Sequence, residues 1–140
     1  MPQWLIFALL STLFAGITAV IAKYGLKDVS ADLGLAVRTV VVFFVITLNF
    51  LFLHSWREVQ TLNWKITGFF ALSGLTAAFS WIFYYRAIKI GTVSEVALID
   101  KGSILITLLL SFWLLREPVT PRVLIGAGLI VGGIAVLAWK

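Results

Sequence analysis

Cysteine is absent from the 140 residues, which excludes structural disulfides and cysteine-based metal sites and leaves the compartment open. Charge is scarce: Asp, Glu, Lys and Arg make up 12% of the chain, about half the roughly 25% of a soluble domain. No basic stretch precedes the first apolar run at Met1–Trp4, so that run does not read as a secretory signal peptide. Gly-rich phosphate loops, metal-ligand clusters, nucleophile elbows and paired catalytic carboxylates are all missing. No metal, cofactor or enzymatic chemistry is therefore expected. No segment is low in complexity and no internal repeat is visible.

What the chain has instead is apolar length. Hydrophobic residues are 61% of it and its mean hydropathy is +1.08. Five stretches, Trp4–Ala22, Leu33–Leu53, Ile66–Ile88, Val93–Leu115 and Val123–Trp139, each approach the ~20 residues that cross a hydrocarbon core. They are apolar most of the way round, which a soluble amphipathic helix is not. The sequence thus predicts an all-α integral membrane protein, one domain over residues 1–140, with about five transmembrane helices and no room for a soluble domain. The formal net charge of +5 would point to nucleic acid in a soluble protein. Here the basic residues fall in loops at headgroup level, where membrane lipid is the expected partner and nucleic acid is not.

Those loops carry almost no sign bias. If alternate loops lie on opposite sides, one side holds the N-terminus, Arg57, Lys65, Arg116 and Arg122, and the other holds Lys23, Lys27, Arg86, Lys89 and Lys140. Four Lys and Arg face five. Orientation follows such a bias, so a chain this balanced is expected to insert both ways.

Segment boundaries have local causes. Lys23–Asp32 interrupts the first run with mixed charge and Gly25. His54–Lys65 is the longest connection, flanked by Trp56 and Trp64 as interfacial aromatics; His54 itself reads as a solvated loop residue. Lys89-Ile90-Gly91 offers a basic last turn and a glycine suited to a helix C-terminus. Thr92-Val93-Ser94-Glu95 resembles a capping box. Thr120 is suited to an N-cap, with Pro121 at the first helical position.

Polar residues inside the spans are the site candidates. In segment four, Asp100, Ser103, Thr107 and Ser111 fall in one stripe at three-and-four spacing, with Lys101 about a quarter turn from Asp100. An acid and a base inside a span each cost about 2.5–3.5 kcal/mol and usually face a cavity or a partner. The structural alternative is mutual pairing, or a Lys101 that snorkels. In segment three, Ser73, Thr76, Ser80 and Tyr84 share a face, with Trp81 and Tyr85 beside it. Together they form either a cavity wall with an aromatic side or an interhelical hydrogen-bonding seam. Arg38 lies about one and a half turns into segment two, with Asn49 on the same face. Snorkelling, anion binding and pairing to Asp100 are its three readings. Segment one has a small-residue face of Ser11, Ala15, Thr18 and Ala22. Segment five carries a Gly128/Gly132 GxxxG pair flanked by Gly126 and Gly133, for contact within the chain or with a second copy.

In order and spacing these features resemble one EamA-type repeat of the drug/metabolite transporter superfamily, over essentially the whole chain. Tyr85-Arg86-Ala87-Ile88, the Leu114-Leu115-Arg116-Glu117 end of the fourth helix, and Gly126 and Gly133 beyond it carry the resemblance, with Arg38 similar to an arginine common in the family's second helix. Many such repeats have a proline in mid helix four; this chain has Asp100-Lys101-Gly102-Ser103 there, which resembles a subgroup of short, single-repeat members. Small multidrug resistance proteins are a second comparison, but the glutamate of their first helix is missing here, leaving Asp100 as the candidate for proton coupling. Full-length EamA members hold two oppositely oriented repeats. The resemblance therefore implies an antiparallel homodimer in the inner or plasma membrane, moving a small molecule by alternating access. Its rivals are a non-transporting subunit paired with another half-repeat, and a flippase for a lipid-linked substrate.

Overall fold

A bilayer offers no water to backbone amides, so a spanning chain satisfies them internally, and this chain does so with helices. The computed structural model describes residues 2–53 and 56–139, and their side chains except at 53, 56–58 and 138. The helices are α1 (Gln3–Gly25), α2 (Ala31–Leu53), α3 (Trp64–Ile90), α4 (Val93–Asp100), α5 (Ser103–Leu110) and α6 (Pro121–Ala138). A 3-10 turn at Trp56–Thr61 precedes α3, and a π-helical turn at Ser111–Leu115 continues α5. Among the described residues there is no strand. Gln3–Gly25, Ala31–Phe52, Trp64–Ile90 and Val93–Leu115 taken as one span are long and apolar enough to cross a membrane, while α6 is shorter. Helix covers all five expected stretches, extended by one to three residues at most ends, and four of them have membrane-crossing length. The expectation for His54 lies outside the described residues, as do those for the side chains of Trp56 and Arg57.

Start signals read in the sequence are used. Thr92 Oγ1 accepts from Glu95 N at 3.4 Å and donates to the Glu95 carboxylate at 2.7 Å, and Thr120 Oγ1 accepts from Val123 N with Pro121 behind it. Two caps were not foreseen: Ser30 Oγ takes Leu33 N, and Asn63 Oδ1 takes Ile66 N.

The contacts fall into two units, Met1–Ile90 and Gly91–Lys140. In the first, α2 lies along α3 and α1 meets α3. The buried side chains of this unit, Ala19, Leu26, Ala31, Tyr85 and Ile88, gather where α1 and α3 end and α2 begins. Gly34 lets that cluster close: a Cβ there would come within 2.6 Å of Leu26 Cδ2, and Leu26 is only 2% exposed. In the second unit α6 packs on α4, with Ala127 as its buried residue.

Lysines, rather than Gly91, finish the helices of the first unit. Every described glycine keeps a negative φ, so α3 ends without a left-handed cap. Instead Lys23 Nζ donates to the carbonyls of Ile88 at 2.7 Å and Lys89 at 3.2 Å. Lys89 Nζ returns the arrangement, donating to Leu26 O and, at 3.1 Å, to Lys27 O. Each ammonium thus satisfies the orphan carbonyls at the other helix's C-terminus, where the helix dipole also favours positive charge. Beside them Arg86 holds Asp32 through Nε at 3.2 Å and Nη2 at 3.1 and 3.3 Å. That pair is more than half exposed, so it fixes register more than it adds stability. Lys23→Met or Lys89→Met should each cost about 1–2 kcal/mol, since charge-assisted hydrogen bonds are worth about 1.5–3 kcal/mol and these are partly solvated. Both join the same two helix ends, so the double variant should lose less than the two single losses added. Thermal unfolding in detergent measures all three, and strictly additive losses would show the two caps to be independent.

Candidate functional site

Two places gather the polar residues of the spans, one in each unit. The first is a cleft of about 500 Å³ beneath the α1–α2 turn. Its walls are apolar, with Ile21, Leu26, Val29, Leu33 and Val37 among them, and its polar lining comes from Thr18, Arg38 and Tyr85. The cleft forms because the turn is short and Gly25 and Gly34 bring no side chains into it.

Arg38 does not reach back toward the α2 N-terminus. Its guanidinium carbon lies 4.5 Å from the centre of the Trp81 ring and 5.7 Å from that of Tyr85. Arg38 starts about 10 Å below the first residue of α2, and Trp81 lies about 13 Å below the end of α3 at 1.5 Å per residue. The side chain therefore reaches across to α3 at depth instead of snorkelling. Arg38 and Trp81 are half-buried, and Tyr85 is 5% exposed. Stacking on ring faces favours a guanidinium by about 0.5–2 kcal/mol and leaves its N–H edge open.

The other first-unit candidates are not part of this cleft. Asn49 is exposed about 16 Å further along α2. On α3, Ser80 is exposed and Tyr84 half-buried, and neither lines the cleft. Thr76 Oγ1 donates to Ser73 O at 2.9 Å, so that hydroxyl turns back on its own helix. From segment one, Thr18 and Ala22 line the cleft while Ser11 and Ala15 are exposed. Spacing alone sets Tyr85 beside the polar stripe. It is packing against α1 and α2 that makes it, rather than Tyr84, the cleft residue.

The second place is the fourth span, which is not one regular helix. At Asp100–Ser103 its hydrogen bonds tighten to i→i+3: Lys101 N to Leu98 O at 3.2 Å, Gly102 N to Ile99 O at 2.9 Å, Ile104 N to Lys101 O at 3.1 Å and Leu105 N to Gly102 O at 3.0 Å. Gly102 permits this turn, since a Cβ would come within 3.0 Å of Ile99 O and 3.3 Å of Ile134 Cδ1 on α6. Asp100 enters the turn about 10 Å into a span of about 33 Å, hence about 6 Å from its centre. A 3-10 turn eclipses residues three apart, so Asp100 and Ser103 stay on one line. Lys101 Nζ stands 3.8 Å from the Asp100 carboxylate, with both side chains well exposed. The pair is loose, and the acid keeps lone pairs free for another partner. Thr107 Oγ1 donates to Ser103 O at 3.1 Å. Ser111 Oγ donates to the Glu117 carboxylate, tying the π turn to the chain that follows. There Arg116 adopts a left-handed φ of 56°.

The segment-five glycines are open. Apart from the helix's own neighbouring residues, no atom of the second unit comes within 4 Å of a Cβ built at Gly126, Gly128, Gly132 or Gly133. At 100° per residue the face that α6 turns to its neighbours centres on Ala127, Ile130 and Ile134. Gly126 and Gly133 lie about 70–95° to one side of it, and Gly128 and Gly132 lie about 125–165° away, toward the opposite face.

Comparison with known proteins bears on the family. The model of the EamA-like transporter family matches residues 2–139. A Sinorhizobium protein named as an uncharacterized transporter in the cobO 3′ region is 35% identical over 136 residues, which is 97% of this chain and 96% of that protein. The relative is therefore about one repeat long as well. No solved structure matches. Helices of membrane-crossing length and a family match over nearly the whole chain place it as a multi-pass membrane protein that belongs to the EamA-like transporter family.

Proposed function

We propose that the chain is a secondary transporter of a small organic solute, working by alternating access as an antiparallel pair of identical chains in a cell membrane. The observation that carries this reading is the interruption of the fourth span beside its acid. Broken spans near the midplane, with an ionisable group at the break, are where transporters build substrate and coupling-ion sites. The tight turn at Lys101–Gly102 supplies a place to bend and the loosely paired Asp100 supplies the charge. The antiparallel partner follows from the balanced loop charges. In such a pair the two access states are the same structure seen from opposite sides, so symmetry makes them equal in free energy. The open glycines of α6 suit its interface or its periphery.

The test is proteoliposome counterflow with the purified chain as the sole protein, against labelled amino acids, amines, organic acids and nucleotide sugars. Saturable flux is expected for at least one class. Flux that appears only with a different half-repeat protein added would replace the reading with that of a non-transporting subunit. A flippase is the second reading, favoured by Arg38 in a cleft, and its arm is requirement for an anionic lipid.

A further inference from the structure

We infer that the cleft under the α1–α2 turn binds an organic anion, a carboxylate or phosphate monoester carried directly on an apolar body, with Arg38 as the anion anchor. That this ligand is a transported substrate rests on the function proposed above; that it binds does not.

Arg38 carries a full positive charge about 10 Å inside a span. Within the unit Met1–Ile90 its contacts are the faces of Trp81 and Tyr85, and the neighbouring Asp32 is already held by Arg86. A charge at such depth costs several kcal/mol. Two aromatic faces return only part of that, and they engage the guanidinium plane, not its edge. The edge is a fork of N–H donors matched to two oxygens of a carboxylate or phosphate. Stacking also fixes the plane of the fork, so less freedom is lost when an anion docks. A cation would instead bring a second positive charge beside Arg38, and among the described residues no carboxylate lines the cleft to offset it.

The walls specify the rest of the ligand. About 500 Å³ lies in the ordinary range for small-molecule sites. Ile21, Leu26, Val29, Leu33 and Val37 present no hydrogen-bonding side chain to whatever lies next to the anion. A free solute with a ring or short chain beside its acid group matches this surface. A phospholipid matches it less well, because polar glycerol esters adjoin its phosphate and would be desolvated against aliphatic walls without partners. The site therefore commits to a soluble amphiphilic anion.

The test uses the full chain in neutral detergent and in nanodiscs, titrated calorimetrically with 4-phenylbutyrate, its uncharged amide 4-phenylbutanamide, and 4-phenylbutylammonium. The carboxylate is expected to bind at least tenfold more tightly than either isostere. Arg38→Gln should abolish that preference. Arg38→Lys, which keeps the charge and loses the fork, should retain only part of it. Equal binding of the three probes to the wild-type chain overturns the site whether or not any variant folds. A carboxylate preference that survives in a folded Arg38→Gln variant overturns the role of Arg38. Binding in phosphatidylcholine nanodiscs that phosphatidylglycerol displaces stoichiometrically overturns the solute in favour of a lipid headgroup. Counterflow separates the two proposals. Arg38-dependent binding without flux keeps the anion site and sinks transport, and flux of other solutes without this binding does the reverse.

Discussion

Asp100→Asn protein in proteoliposomes should lose transport by about 100-fold while folding as well as the wild type. Asparagine keeps the shape and removes the charge, and hydrogen bonds to a charged group are worth about 1.5–3 kcal/mol, the upper end being roughly two powers of ten in rate. Folding should survive because the Asp100 side chain is 41% exposed and its contact with Lys101 is a loose 3.8 Å. Asparagine cannot take up or release a proton, so any pH dependence of flux that arises at this residue should vanish with it. Lys101→Ala separates two roles: damage as severe as that of Asp100→Asn would show the pair acting as a unit, and mild damage would leave Lys101 a neighbour. Ser103 and Thr107 should tune affinity without abolishing transport. Their hydroxyls make neutral hydrogen bonds, typically worth only ~1 kcal/mol between membrane helices, and Thr107 already spends its proton on Ser103 O. Wild-type flux with unchanged pH dependence in Asp100→Asn would remove the residue from the mechanism.

The two site regions differ in how far the sequence reveals them. Asp100-Lys101-Gly102 stands out in the sequence as a charged pair and a glycine in an apolar run, but the run reads as one continuous span. The 3-10 turn there is not legible, nor is the approach of Ile134 that a side chain at Gly102 would crowd. Spans are legible to within a few residues because hydrophobic length is a property of the chain alone. What the spans do not reveal is the pairing of their ends: Lys23 and Lys89 lie within the helices, and their ammonium groups donate to carbonyls more than 60 residues away. Arg38 is the instructive case. Its depth leaves snorkelling, anion binding and ion pairing all open. What decides against snorkelling is which face of α2 meets α3, and periodicity cannot give that when both helices are apolar all round. For the same reason Tyr84, and not its buried neighbour Tyr85, looks like the site residue from spacing alone.

Three lysines added to the loop between His54 and Lys65 should abolish transport without harming the fold of any single chain. The addition turns four basic residues on that side into seven, against five on the other, and so directs the loop to the cytoplasm. At about 1 kcal/mol per basic residue near an anionic surface, the three additions shift the orientation preference roughly 150-fold, or about 30-fold if a third of it is lost to screening. Antiparallel pairs then become rare, and flux should fall with them. A counter-biased chain should restore it on co-expression. The structure dictates how to make that chain: Arg57→Gln with Lys65→Gln lowers the first side to two, whereas adding to or subtracting from Lys23, Arg86 or Lys89 would disturb the helix caps and the clasp on Asp32. Orientation can be read directly, because a chain with no cysteine of its own accepts a single reporter thiol at Gln3 for labelling with a membrane-impermeant maleimide. Unmodified protein should label from both sides in comparable amounts, and each biased chain from one. Restoration by the oppositely biased chain, and not by a second copy of the same one, marks the antiparallel arrangement itself as what transport needs. One-sided labelling of the unmodified protein would sink the antiparallel homodimer, whatever the flux data show.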